Sequence, residues 1–230
     1  MSDFKYSTIT VSGADAFDFL QAQLASDLSR LPERNDTSGN PDAAEHRSAW
    51  CNPKGRVICT PVVKSVQDGF ELSLPADLGE LVMQRLTLFR FRSKVEFERS
   101  PGPTSSAEEE LLKIRAGVPE IALAQSEKFT PHMLNLDLLQ MVSVEKGCYP
   151  GQEIIARTHF RGASKRRCLR FSSDAPIQPG ANVTDGDRNV GEVVNALGGE
   201  LLAVVPLATA DSPLFVDQHE LARLELPYSF

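Results

Sequence analysis

The chain of 230 residues is short of aromatic handles, with one tryptophan and three tyrosines. It has no apolar run of about eighteen residues, the length that a membrane-crossing helix needs. Met1 to Thr10 lacks the charged-then-apolar pattern of a secretory leader, so a cytoplasmic protein without membrane contact is expected. The four cysteines, Cys51, Cys59, Cys148 and Cys168, are scattered and form no C-x-x-C pair. That argues against a disulfide framework or a zinc site, and no metal ligands are assigned. There is no internal repeat, P-loop, dinucleotide-type glycine pattern or nucleophile elbow.

What is present is the composition of an ordinary globular chain, 41% hydrophobic and 24% charged, able to bury one large core or two small ones. The formal net charge of −7 argues against generic nucleic-acid binding, yet the charge is unevenly spread. From Ile154 to Ser173 there is no acid, while Arg157, Arg161, Lys165, Arg166, Arg167 and Arg170 supply six positive charges beside His159. A strongly basic patch is predicted there, and guanidinium forks suit phosphates and carboxylates.

Periodicity gives the layout. Lys5 to Val11 alternates as a half-buried strand, and Ser12 with Asp15 resembles a capping box opening a helix. Phe17, Leu20, Leu24 and Leu28 then recur at helical spacing and are read as core. Glu33 to His46 is polar and turn-rich, an exposed loop. Val57 to Val66 and Phe70 to Leu74 form a predicted hairpin, preceded by a turn at Asn52-Pro53-Lys54-Gly55. Leu78, Leu81, Val82, Leu86 and Phe89 mark a second helix, Lys94 to Glu98 a strand, and Ser100 to Glu110 has the composition of a linker or exposed loop. This order predicts an α+β layer arrangement. From Lys165 onward, short apolar runs punctuated by Pro179-Gly180, Asp185-Gly186 and Leu197-Gly198-Gly199 predict a small β-barrel.

The most informative stretch is Lys146-Gly147-Cys148-Tyr149-Pro150-Gly151-Gln152-Glu153. Tyr149-Pro150-Gly151-Gln152 reads as a type II turn, with proline pre-setting φ and glycine accepting the positive φ. Gln152 to Thr158 follows as a helix. Cys148 thus sits on a defined loop beside an ammonium and ahead of a helix N-terminus, both of which favour a thiolate. The alternative for a free cysteine is a small buried hydrophobe.

The string KGCYPGQE, with Ala156-Arg157 and Phe160 to Arg166, resembles the signature of the YgfZ family. Ile9 to Leu28, Trp50 to Val57, Phe129 to Leu136 and Leu226-Pro227-Tyr228 resemble it as well. The resemblance implies a folate-binding α+β domain like that of the glycine-cleavage T-protein over residues 1–164, shortened near 98–113, and a C-terminal β-barrel over 165–230. It implies a tetrahydrofolate cofactor and a role in maintaining iron–sulfur enzymes, including those that modify tRNA. Iron–sulfur proteins or cluster-assembly factors would be the partners, RNA contact is possible through the basic stretch, and a monomer is expected. Cys148 is then the candidate reactive thiol, with Lys146 lowering its pKa. Gly147 and Gly151 would let the backbone approach a ligand, flanked by Tyr149. Tyr6, standing where the family has a tryptophan, would stack on the pterin. A second family tryptophan falls near Glu109. Gln152 and Glu153 would bond the ligand or cap the helix. Arg157 and Arg161 would hold the acidic glutamyl tail.

In the T-protein relatives an aspartate lies a few residues beyond the counterpart of Lys54-Gly55. Here Arg56-Val57-Ile58-Cys59-Thr60-Pro61 offers no carboxylate, and aminomethyl transfer in glycine cleavage is not expected. Two other readings stay open: a folate-dependent one-carbon transferase acting on tRNA or protein, for which His132 and His159 are the nearest histidines, and a scaffold without folate.

Overall fold

A computed structural model describes residues 3–31, 46–162 and 164–229. The predicted loop of Glu33 to His46 lies outside the described residues except for His46 itself.

The first half is a sheet with helices on one face. Strand β1 (Phe4–Ser12) alternates as its sequence predicts, burying Ser7, Ile9 and Val11. Helix α1 (Ala16–Gln23) follows. The Ser12 and Asp15 capping box does not form: Ser12 remains in β1, and Asp15 makes no cap bond within the helix. Its carboxylate instead accepts from the Lys94 N–H at 2.7 Å, tying the helix start to the loop before a distant strand. The helix is also shorter than the leucine spacing predicts. Leu20 and Phe19 are its buried face and Phe17 is exposed, while Leu24 and Leu28 reach the core from beyond the helix end.

Then come β2 (His46–Arg47), β3 (Trp50–Cys51), β4 (Val57–Cys59), β5 (Val62–Val66) and β6 (Gly69–Pro75). The predicted hairpin is real for β5 and β6, with Val66 opposite Gly69. Its first third is not part of it: Val57 to Cys59 pairs with Trp50-Cys51 in a separate two-stranded sheet, because Thr60-Pro61 interrupts the run. Helix α2 (Gly79–Phe89) buries Val82 and Leu86, with Leu78 just before it.

Strand β7 (Glu96–Ser105) pairs with β1 along its length, and α3 (Ala107–Arg115) follows at once. This corrects the linker predicted over Ser100 to Glu110. An edge strand needs ladder partners on one side only, so Pro101 and Pro103 are tolerated. Ser106 and Glu109 form a reciprocal capping box, the Ser106 N–H donating to Glu109 at 2.6 Å. The sheet order is β2-β5-β6-β1-β7. Its inner face packs α1 and α2, whereas Tyr6, Thr8, Lys64, Glu71 and Ser73 face a hollow on the other side.

After α4 (Gln152–Arg161), strands β8 (Arg166–Ser172), β9 (Asn182–Thr184), β10 (Asn189–Leu197), β11 (Glu200–Pro206), β12 (Leu214–Val216) and β13 (His219–Leu224) close a barrel in the order β10-β11-β8-β13-β12-β9. The barrel has its own apolar interior, including Phe171, Val193, Val205 and Val216. A further apolar cluster joins its outer wall to the layer before it, with Cys168, Val194 and Val204 packed among Ile121, Leu134, Tyr149 and Ile155. Asn195 locks this junction by exchanging two 2.9 Å hydrogen bonds with the backbone of Glu120.

Candidate functional site

The loop before α4 folds as its residues dictate. The Gln152 N–H donates to the Tyr149 carbonyl at 3.2 Å, and Gly151 sits at φ +80°, which closes the predicted type II turn and serves as the helix N-cap. Tyr149 is buried, and its hydroxyl donates to the Ser143 carbonyl at 2.8 Å. Gln152 donates to the Lys146 carbonyl at 3.0 Å, so its side chain staples the loop to itself.

Cys148 is exposed, whereas Cys51, Cys59 and Cys168 are buried. Burial pushes the Cys51 and Cys168 thiols up to about 12, and Cys59 is raised further, by burial first and then by Cys51. Lys146 does not play the part expected of it beside Cys148. Its ammonium donates to the carbonyls of Leu24 at 2.7 Å and Ser26 at 2.8 Å, and it lies 5.4 Å from the Tyr149 ring centroid. Burial lowers its pKa to about 8. The lysine ties the cysteine loop to the segment after α1.

Beneath the loop lies the Asn52 to Gly55 turn. A β-carbon on Gly151 would meet the Asn52 carbonyl oxygen at 2.5 Å, and one on Gly55 would meet Ile154 at 3.2 Å. The two motifs therefore touch backbone to backbone. The turn is itself braced: the Asn52 side chain accepts from the N–H groups of Lys54 and Arg56 and donates to Glu127 at 2.9 Å. Arg85 holds Glu127 through two 3.0 Å bonds, and that pairing keeps the Glu127 carboxyl below its usual range. Gly147 has nothing within 4 Å of its would-be β-carbon, so no packing constraint from the described residues selects glycine there.

The basic stretch is less of a patch than its sequence predicts. Arg167 is buried and grips Asp137 at 2.7 and 3.0 Å, Arg170 pairs with Glu200, and Arg157 pairs with Glu153 at 2.8 Å. Arg167 lies where both faces of β8 are covered, and acids remote in sequence meet it and Arg170. Glu153 thus stands in solvent on the helix flank. Among the described residues Arg161 and Lys165 make no ion pair, and they share the outer surface with Phe160, which is 71% exposed.

Tyr6 belongs to a second centre. Its hydroxyl donates to Glu120 at 2.7 Å or Glu110 at 2.8 Å and accepts from Lys113, whose ammonium lies 4.7 Å from the ring centroid. Burial, followed by the Glu120 carboxylate, raises the Tyr6 pKa far above its ordinary value. This cluster lines a cavity of about 310 Å³ bounded by β1, α3 and β10, and Asn195 lines it as well. A wider hollow of about 840 Å³ shares Tyr6, Lys113 and Glu120 and reaches Glu109. Glu110, Lys113, Glu120 and Asn195 were not picked out from the sequence. The 110/113 spacing on a helix was a usable signal for one pair; Glu120 and Asn195 had none.

The remaining family-like segments also converge. Tyr228 donates to the Gly117 carbonyl at 2.6 Å, and a β-carbon on Gly117 would meet Leu226 at 2.6 Å. Asn135 donates to the Cys168 carbonyl at 2.7 Å and to Tyr228 at 3.3 Å.

Comparison with known proteins agrees with this convergence. Residues 165–227 match the family model described as CAF17, C-terminal beta-barrel domain. The chain is 35% identical to the tRNA-modifying protein YgfZ of Serratia proteamaculans over 71% of this chain and 55% of that protein. It is 38% identical to the protein of the same name from Klebsiella pneumoniae over 51% of this chain and 40% of that one. An uncharacterized protein of Haemophilus influenzae is 29% identical over 98% of this chain and 96% of its own length. The chain thus matches about half the length of the YgfZ relatives just named. In fold, the crystal structure of the glycine cleavage system aminomethyltransferase T from Bartonella henselae superposes with a TM-score of 0.70 at 14% identity, covering 99% of this chain and 85% of that one. With a T-protein-like α+β fold, a closed C-terminal barrel and these relatives, the chain is similar to the YgfZ family.

Proposed function

We propose that this protein is a folate-binding accessory factor supporting the assembly or repair of iron–sulfur enzymes, including those that modify tRNA. The observation that carries the proposal is Cys148, the exposed thiol among four, on a turn fixed against the Asn52–Gly55 turn by contact between backbones. A thiolate is the form that attacks or ligates, and an exposed, rigidly placed cysteine can meet a partner's cluster without disturbing a core. Phe160, Arg161 and Lys165, around the far end of α4, supply a further apolar and basic surface for that partner.

Tetrahydrofolate, or a derivative, would occupy the cavities around Tyr6. A reduced pterin presents an amino group and ring N–H donors, which carboxylates such as Glu120 accept bidentately, and a flat face that the Tyr6 ring can cover. Arg157 and Arg161 are the proposed partners of its acidic tail, at the price of breaking the Arg157–Glu153 pair. Residues 1–164 and 165–230 are proposed as the folate-binding unit and the barrel, in a cytoplasmic monomer.

The test uses cells lacking their own copy of this protein, scored by the tRNA product of an iron–sulfur modifying enzyme. The wild-type gene should restore that product and Cys148→Ala should not, with the variant accumulating as folded protein. Full restoration by the variant removes the thiol from the mechanism. Calorimetric titration with tetrahydrofolate, repeated with Glu120→Gln, tests the cofactor separately.

A further inference from the structure

Away from the cysteine loop, the described residues contain one group of side chains whose donor atoms converge as metal ligands do. His132, on a short turn of helix at His132–Leu134, Asp137 just after it, and His159, in the last turn of α4, place their ligand atoms within 4.8 Å of one another. The two imidazole rings lie 6.0 Å apart between centroids.

His132 is the telling member. It is 3% exposed, and neither ring nitrogen has a hydrogen-bond partner among the described residues. A buried imidazole with both nitrogens unsatisfied is costly, and such orphans call for an explanation. Its Nε2 faces Asp137 Oδ2 across 4.0 Å. That gap is too wide for a hydrogen bond. Two ligands each about 2.1 Å from one tetrahedral ion stand roughly 3.4 Å apart, so a modest contraction would accommodate the metal.

Arg167 bears on the site in two ways. It grips both Asp137 oxygens and donates to the His132 carbonyl at 2.9 Å, fixing two of the three ligands as supporting shells do. Its charge also opposes a cation, which weighs against hard ions held mainly by electrostatic attraction. Two imidazoles and one carboxylate suit Zn²⁺ or Fe²⁺ rather than Mg²⁺ or Ca²⁺. With His159 exposed at the rim, a further coordination position faces solvent. We infer that His132, Asp137 and His159 form a binding site for one divalent transition-metal ion with an open coordination position. His159 lies seven residues into α4, roughly 10 Å along the helix from its start, which keeps the site apart from Cys148.

The test is made in Cys148→Ser protein, so that the exposed thiol cannot bind the probe. Co²⁺ added to this protein should give visible absorption saturating at one ion per chain, displaced by Zn²⁺ and unaffected by excess Mg²⁺. His159→Ala, at an exposed position, should fold normally by circular dichroism and weaken Co²⁺ binding at least tenfold. His132→Gln should do the same. Absence of saturable Co²⁺ binding overturns the assignment, as does equal affinity in the folded His159→Ala protein.

Discussion

Gly151 and Gly55 meet backbone to backbone: a β-carbon on Gly151 would stand 2.8 Å from the Gly55 Cα, and both residues have positive φ, +80° and +69°. The cysteine loop therefore takes its position from the earlier turn.

Gly151→Ala should cost roughly 2–4 kcal/mol, combining the strain of a positive φ with the clash against Asn52 and Gly55. Gly147→Ala, with open space around it, should change stability by less than about 0.5 kcal/mol. Urea denaturation of the two variants checks this, and equal losses would contradict the docking of one turn on the other.

Lys146→Met should destabilise the chain by about 1–3 kcal/mol, because the carbonyls of Leu24 and Ser26 lose their charged donor. Hydrogen exchange should quicken in the segment after α1 and in the cysteine loop together. Faster exchange confined to one of them would show that the lysine does not join the two.

Native protein should take up one maleimide, at Cys148, and urea-unfolded protein four, since the other three thiols are buried. Mass spectrometry of the labelled chain reads this directly. A second adduct on the native protein would contradict the burial of Cys51, Cys59 or Cys168.

All three tyrosines hold their protons more firmly than usual. Burial raises Tyr6 and Tyr149 well above the ordinary 10.0 and pushes Tyr228 up to about 12. A folded pKa above the unfolded one means that the native state binds more protons in alkali. The associated stability is complete below pH 10 and is lost as pH rises beyond it. Tyrosinate absorbance should therefore appear late and together with loss of circular dichroism; ionisation near pH 10 in folded protein would contradict the Tyr6 cluster.

What could be read from the sequence was local. The type II turn at Tyr149 to Gln152 and the start of α4 follow from proline, glycine and helix formers acting over a few residues. The barrel followed from short apolar runs punctuated by glycine-bearing turns. Ser100 to Ser105 failed because proline and glycine suit a linker and an edge strand alike, and only β1 decides between them. Capping by Ser106 and Glu109 was local and available. The basic stretch failed for the opposite reason: Asp137 and Glu200, which neutralise Arg167 and Arg170, lie 30 residues away on either side. The Tyr6 cluster joins three distant segments, which no spacing reveals.

The rims of the five-stranded sheet limit how this protein can associate. β7, carrying Pro101 and Pro103, forms one rim, and β2 forms the other, with the two residues His46 and Arg47. Proline cannot donate to a ladder, and the barrel, being closed, leaves no outermost strand to extend. At β7 and around the barrel a companion gains little by adding a strand of its own. There it must be met through side chains, so recognition rests on surface chemistry that substitutions can tune one residue at a time.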